Sequence, residues 1–100
     1  MNIQTINIAS VQVALKNHRD TAGKETKPYH YANEVRLIHF AVMGHCKSPC
    51  NLKNVPREKN TLVRRVICMN RRLINLHVDY ELRKQACRDL VLKYEAKSKI

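Results

Sequence analysis

The stretch from Asn60 to Val78 is strongly amphipathic at helical spacing, so the chain must adopt a fold that buries one side of a long helix. Residues spaced four, three, four and three apart lie on one line of an α-helix, and here they are Leu62, Val66, Met69, Leu73 and Leu76. Three further apolar residues widen this line: Val63, Ile67 and Ile74. The pattern predicts a helix from Pro56 to about Leu76 with a buried apolar face, and Pro56 suits its first turn.

The same stretch repeats its positive charges along the helix. Arg64 and Arg71 are seven residues apart, as are Arg65 and Arg72, and no acidic residue lies between Glu58 and Asp79. Residues seven apart recur at nearly the same angle around a helix. Guanidinium groups bind phosphate oxygens through paired donors, so this arrangement suits an extended polyanion. The candidate binding residues are Arg57, Lys59, Arg64, Arg65, Arg71 and Arg72.

Composition agrees with a polyanionic partner. The 100 residues suffice for one small domain, and 19 Lys and Arg against 8 Asp and Glu give a formal charge of +11. Nucleic acid, an acidic protein surface or anionic lipid could balance this charge, although a basic surface can also serve solubility alone. Apolar runs are too short for a membrane span, and the first ten residues lack the pattern of a signal peptide. We therefore expect a protein of the cytoplasm, where its four cysteines are thiols.

The rest of the chain predicts an all-α fold. A helix from about His30 carries Tyr31, Val35, Ile38 and Val42 on one side, with Glu34 in its first turn and Gly44 at its end. Asp79 is a good N-cap for a last helix, whose predicted apolar side consists of Leu82, Ala86, Cys87, Leu90, Val91 and Tyr94. The N-terminal segment fits two structures: Ile6, Ile8, Val11, Val13 and Leu15 alternate as in a strand, but Ser10 can also cap a short helix to about Asn17, which we favour. A flexible link then leads to Pro28. The prediction is a small antiparallel three-helix bundle, with residues 1–28 as N-terminal segment and linker and residues 29–100 as helical domain.

Other kinds of site have weaker support in the sequence. Cys46 and Cys50 have the spacing of half a zinc site, and His45 and Cys68 could complete it, but a second half-site is missing. Cys68 and Cys87 fall within predicted helices, where small packing residues are typical. In a helix-turn-helix, Tyr80, Arg83 and Lys84 at the start of the last helix would contact the DNA bases. The His77-Val78-Asp79 junction before that helix fits such a motif only loosely.

The sequence also holds little that could catalyse a reaction. Paired carboxylates, a nucleophile with an oriented base and a glycine loop for phosphate are all missing. We therefore predict a non-enzyme without a metal or cofactor.

Several short motifs resemble a helical module of phage and prophage regulatory proteins that occurs near KilA-N or Rha-type segments. They are Tyr31-Ala32-Asn33-Glu34, then Leu37 and Ile38, Gly44, then Asn70, Leu73 and Ile74, and finally Asp79, Tyr80 and Arg83. The likeness covers about two-thirds of the chain, but the four cysteines and doubled arginines depart from the pattern. It implies a phage or prophage origin and a role in regulation or host takeover.

Two functional hypotheses follow. In the first, a small basic phage-type protein of the host cytoplasm binds nucleic acid, DNA rather than RNA, through the arginine-rich helix face and acts in regulation or DNA metabolism. In the second, the protein modulates or inhibits a host DNA-processing enzyme, such as a nuclease-helicase of the RecBCD type, by protein contact. The wide apolar face of the arginine-rich helix leaves room for a homodimer in either case.

Overall fold

The structure, a computed structural model, describes residues 3–44 and 55–98, and these form four α-helices. They are α1 (Ile3–Thr21), α2 (Pro28–Met43), α3 (Asn60–Asn75) and α4 (Tyr80–Ser98), and one turn of 3-10 helix, Arg57–Lys59, leads into α3. No strand occurs within these two ranges. The predicted all-α class is confirmed, but the described chain has four helices where the sequence predicted three and a short N-terminal element.

The extra helix is α1, which is longer than the predicted segment from Ser10 to Asn17. It spans 19 residues and buries Val11, Ala14 and Leu15, whose spacing places them on one face. The polar residues after Leu15 suggested an early end, but the helix continues to Thr21, and an ion pair of 2.8 Å joins Lys16 and Asp20 one turn apart on its exposed side. The division at residue 28 stays a prediction, yet α1 shares one hydrophobic core with α3 and α2.

Local interactions define both ends of α2. Pro28 occupies its first turn, and the Lys27 N–H donates to Nδ1 of His30 at 2.9 Å. At the other end, Gly44 adopts a left-handed conformation with φ of 81°, and its N–H donates to the carbonyl of Phe40 at 2.7 Å. The predicted termination at Gly44 is confirmed. The Arg88 guanidinium of α4 donates to the Ala41 carbonyl at 3.0 Å, so the end of α2 is tied to α4.

Gly44→Ala should lower the free energy of unfolding by about 2–3 kcal/mol, for two reasons. The alanine would be strained in the left-handed backbone conformation, and its Cβ would collide with the Arg88 guanidinium. The added Cβ would lie 2.9 Å from Nη2 of Arg88. Gly23→Ala is the matched control, since Gly23 has φ of 72° but nothing within 4 Å of the added Cβ. Gly23→Ala should lower the free energy of unfolding only by the cost of the backbone strain, about 1–2 kcal/mol. Equal losses in urea denaturation would show that the Arg88 contact contributes nothing.

The buried faces of α3 and α4 differ from the predicted lines. On α3 the buried side chains are Leu62, Val63, Val66, Ile67, Asn70 and Ile74. Leu76, predicted to be buried, is 64% exposed because α3 ends at Asn75 and Leu76 lies in the following turn. On α4 the buried side chains follow one line of the helix, Arg83, Cys87 and Val91. The buried face of α4 is therefore rotated relative to the predicted one, and Leu82 is 62% exposed.

The turn between α3 and α4 contacts α1 through two histidines. Nδ1 of His77, which has φ of 61°, lies 2.7 Å from Nδ1 of His18. Partial desolvation, followed by the positive field of His77 and Arg83, lowers the pKa of His18 below its usual value of 6.5. His18 is therefore neutral at pH 7, and the pair can share one hydrogen bond.

In the described part of the chain, none of the helices combines the length and hydrophobicity needed to cross a bilayer.

Candidate nucleic-acid interface

A buried polar network joins three of the helices. Nη1 and Nη2 of Arg83 on α4 donate to the two carboxylate oxygens of Glu34 on α2, the second bond being 3.2 Å long. Nη1 of Arg83 also donates to Oδ1 of Asn70 on α3 at 2.9 Å, and the Asn70 amide donates to Glu34 Oε1 at 2.9 Å. All three residues are at most 5% exposed. Each charge and amide is therefore paired inside the core, where an unpaired one would be costly.

Two further contacts complete the surroundings of Arg83. Its Nε donates to the Val78 carbonyl at 3.1 Å, just before α4 begins. The Tyr80 hydroxyl donates to the Asn33 carbonyl of α2 at 3.1 Å, and the Arg83 guanidinium lies 5.6 Å from the centre of the Tyr80 ring. Burial raises the pKa of Tyr80, which keeps this hydroxyl protonated and able to donate. Arg83 thus fixes the start of α4 against α2 and α3.

The network changes the interpretation of residues singled out in the sequence. Glu34 lies beyond the first turn of α2, and its charge is balanced by Arg83 rather than by the helix dipole. Arg83 is buried and ion-paired, so it cannot read bases, and the helix-turn-helix alternative loses its central residue. Four of the residues that carry the phage-module resemblance, Glu34, Asn70, Tyr80 and Arg83, meet in or beside this network. Their positions indicate a structural role, and the family assignment stays a prediction.

Side chains of the candidate binding surface point the other way, into solvent. Arg57, Arg64, Arg65, Arg71 and Arg72 are exposed, and Lys59 is partly exposed. Within residues 3–44 and 55–98, none of these six forms an ion pair with a carboxylate. The buried apolar face and the exposed arginines Arg64, Arg65, Arg71 and Arg72 therefore lie on different sides of α3, whereas Arg57 and Lys59 lie in the 3-10 turn that precedes this helix. We call the six residues the basic face.

Part of the basic face borders an open groove between α3 and α4. The groove has a volume of about 540 Å³, within the range of ligand clefts. Its lining residues are Thr61, Arg64, Arg65, Cys68, Met69, Arg72 and Leu90. Three of the seven are arginines and none is acidic, so the groove is cationic with an apolar portion formed by Met69 and Leu90. The structure thus brings Arg64, Arg65 and Arg72 together around this groove, whereas Arg57, Lys59 and Arg71 are not among its lining residues.

An aromatic side chain supports one of these arginines. The Arg65 guanidinium lies 5.2 Å from the centre of the Tyr94 ring, a cation–π distance, and Tyr94 is 36% exposed. The sequence predicts Met69, Leu90 and Tyr94 on apolar faces, and their place beside the basic face could not be predicted from it. The spacing of Arg65, Cys68, Met69 and Arg72 already indicated one shared face of α3, but only the packing of α4 adds Leu90 and Tyr94.

The two described cysteines have different environments. Cys87 is buried in the core, where burial raises the pKa of its thiol to about 12, but Cys68 is exposed in the groove. The prediction that both are packing residues holds for Cys87 and is wrong for Cys68. His45, Cys46 and Cys50, the other residues of the zinc alternative, lie outside the described residues. Within residues 3–44 and 55–98, no group of three or more His, Cys, Asp or Glu is arranged to hold a metal ion.

In a variant carrying Cys46→Ser and Cys50→Ser, we expect the native protein to react with one equivalent of an aromatic disulfide reagent. Only the exposed Cys68 should react quickly, because the thiolate is the nucleophile and Cys87 is both buried and hard to deprotonate. Denaturation should release the second thiol, which serves as the control. Rapid native reaction of both thiols, followed by absorbance and peptide mapping, would contradict the buried position of Cys87.

Fold and surface define a small, basic, all-helical protein with an arginine-rich helix face beside a cationic groove. Comparison of the chain with protein-family models, with curated proteins and with solved structures gave no match.

Proposed function

We propose that this protein binds nucleic acid, with DNA as the preferred form, by placing phosphate groups against the basic face. The single observation that carries the proposal is the exposure of the arginines of α3 without carboxylate partners in the described chain. An arginine without an intramolecular partner retains all five donors for a ligand. Following the phage-module resemblance, we place this activity in phage regulation or DNA metabolism.

The geometry of α3 suits a repeating anion. From Arg64 to Arg72 the helix rises about 12 Å, and the four arginines occupy two levels separated by about 10 Å. The buried face of α3 and the Arg83 network hold the helix in place, so the backbone that carries the charges is ordered before binding. A doubly repeated array of guanidinium groups on a fixed helix is better matched to several phosphates of one strand than to one small anion.

The test is the salt dependence of binding to duplex DNA of arbitrary sequence, measured by fluorescence anisotropy. If four to six basic residues contact phosphates, the logarithm of the association constant should fall with the logarithm of salt concentration at a slope of about −4 to −5. Affinity should vary little with sequence. A slope near zero, or no binding at low salt, would exclude phosphate contact as the function.

The same basic face could instead contact an acidic surface of a host DNA-processing enzyme, as in our second hypothesis. A pulldown from host lysate, with and without nuclease treatment, distinguishes the two. Partners held through nucleic acid are lost after nuclease treatment, whereas a directly bound enzyme remains. Retention of one host protein at stoichiometric amounts, combined with no measurable DNA binding, would favour the modulator.

A further inference from the structure

We infer that the groove between α3 and α4 receives an unstacked base, so that the protein prefers single-stranded to double-stranded nucleic acid. This inference rests on the proposed function and specifies the form of its ligand. Its basis is the composition of the groove: three arginines, an apolar portion of Met69 and Leu90, and no acidic residue among the seven that line it.

Charge complementarity identifies the backbone part of the ligand. Arg64 and Arg65 are adjacent on one turn of α3, Arg72 lies two turns further along the groove, and each is exposed. A strand running along α3 would therefore meet guanidinium groups at two levels about 10 Å apart, since seven residues of helix rise about 10.5 Å. Phosphates on these groups would place the attached nucleoside beside the groove.

The apolar portion of the groove, Met69 and Leu90, identifies the part of the ligand that enters it. A duplex presents phosphates and sugars on its outside and keeps its bases stacked, so it could contact the arginines but would leave Met69 and Leu90 uncovered. An unpaired base can leave its neighbours and bury its faces against apolar or planar side chains. The volume of about 540 Å³ accommodates a ligand of nucleotide size, and it is too small for a duplex.

The Arg65–Tyr94 contact supplies a planar surface at this position. The guanidinium lies 5.2 Å from the ring centre, and both planar groups are accessible to solvent. Arginine planes and tyrosine rings are the surfaces on which single-stranded bases stack in proteins without sequence preference. Phosphate donors and an apolar wall thus line the groove, and the Arg65–Tyr94 contact at its border adds a stacking surface. These are the three elements of a single-strand site.

The test compares a short oligothymidylate with a duplex of equal length, at one ionic strength, by fluorescence anisotropy. The wild-type protein should bind the single strand at least about tenfold more tightly, a difference of about 1.4 kcal/mol. Cys68→Leu fills the groove from an exposed position with a branched aliphatic side chain that offers no planar surface, and it keeps every arginine, so it should abolish this preference and leave duplex affinity unchanged. Circular dichroism and thermal unfolding verify that this variant is folded, and Cys68→Ser is the control that leaves the groove open.

The outcomes separate this inference from the proposed function. Equal binding of both forms by the wild type would overturn the inference and leave phosphate binding standing. A preference for the single strand that survives in Cys68→Leu would also overturn it, because the groove would then not be its source. Absence of binding to either form would refute the proposed function itself. A parallel comparison of oligouridylate with oligodeoxyuridylate, which differ only by the 2′-hydroxyl, tells whether this group alters affinity and so separates DNA from RNA as the strand.

Discussion

Replacing Arg83 by methionine should lower the free energy of unfolding by about 3–5 kcal/mol, the usual cost of removing one partner of a buried ion pair. Glu34 would remain 2% exposed without its bidentate donor, and Asn70 would lose a hydrogen bond. Because a loss of about 1 kcal/mol lowers the unfolding temperature of a domain of this size by about 4–8 °C, this variant should unfold at least about 12 °C below the wild type. Urea or thermal denaturation followed by circular dichroism measures the loss.

Two further variants separate the charge from other effects of this substitution. Arg36→Met makes the same change at an exposed position of α2 and should alter stability by no more than about 0.5 kcal/mol. The triple variant Glu34→Leu, Asn70→Leu and Arg83→Met replaces the whole network by apolar side chains and should recover much of the loss. If Arg83→Met proved as mild as Arg36→Met, the network would not stabilise the packing of α2, α3 and α4.

Arg64→Glu combined with Arg71→Glu should weaken binding to DNA by about 100-fold or more at moderate salt, because two charge-assisted contacts are lost and two repulsive ones appear. The salt slope should become flatter by about two. Both side chains are exposed, on the side of α3 opposite its core, so helicity and unfolding temperature should remain near those of the wild type. Anisotropy titrations at several salt concentrations measure both effects.

The control for this variant must change the overall charge equally. Lys24→Glu with Arg36→Glu also takes the net charge from +11 to +7, since each substitution changes it by two, but at exposed positions outside α3. If binding depends on the basic face, this control should lose much less affinity than the α3 variant. Equal losses in the two variants would mean that overall charge, and no particular surface, attracts the polyanion.

The helical fold and the position of the basic face could be predicted from the sequence because both depend on spacing within one helix. Apolar residues at intervals of three and four define the inner side of α3, and arginines seven apart follow the outer side, whatever the helix packs against. Local signals also sufficed for the end of α2, where Gly44 adopts the left-handed conformation typical of a cap. The extent of α1, Ile3–Thr21, was underestimated at both ends, because the alternating apolar residues near its start also fit a strand and its last turn is polar.

Contacts between side chains of different helices could not be predicted from the spacing of residues within one helix. Arg83, Glu34 and Asn70 are 13 to 49 residues apart in pairs, and only the packing of α2, α3 and α4 brings their polar groups within hydrogen-bonding distance. The sequence contains one indication of the buried network, because Asn70 is a polar residue within the otherwise apolar inner face of α3. The groove likewise exists only where α4 lies beside α3 and adds Leu90 to a surface that α3 otherwise leaves flat.

The sequence by itself thus determined that α3 is a helix with one buried and one cationic side, because that property follows from helical periodicity alone. Only the tertiary structure decided which polar residues are buried as partners, which arginines border a groove, and that Cys68 is exposed while Cys87 is not. The physical reason is that burial and pairing depend on the neighbouring helix, and contacts between distant residues are not encoded in the spacing of any one segment.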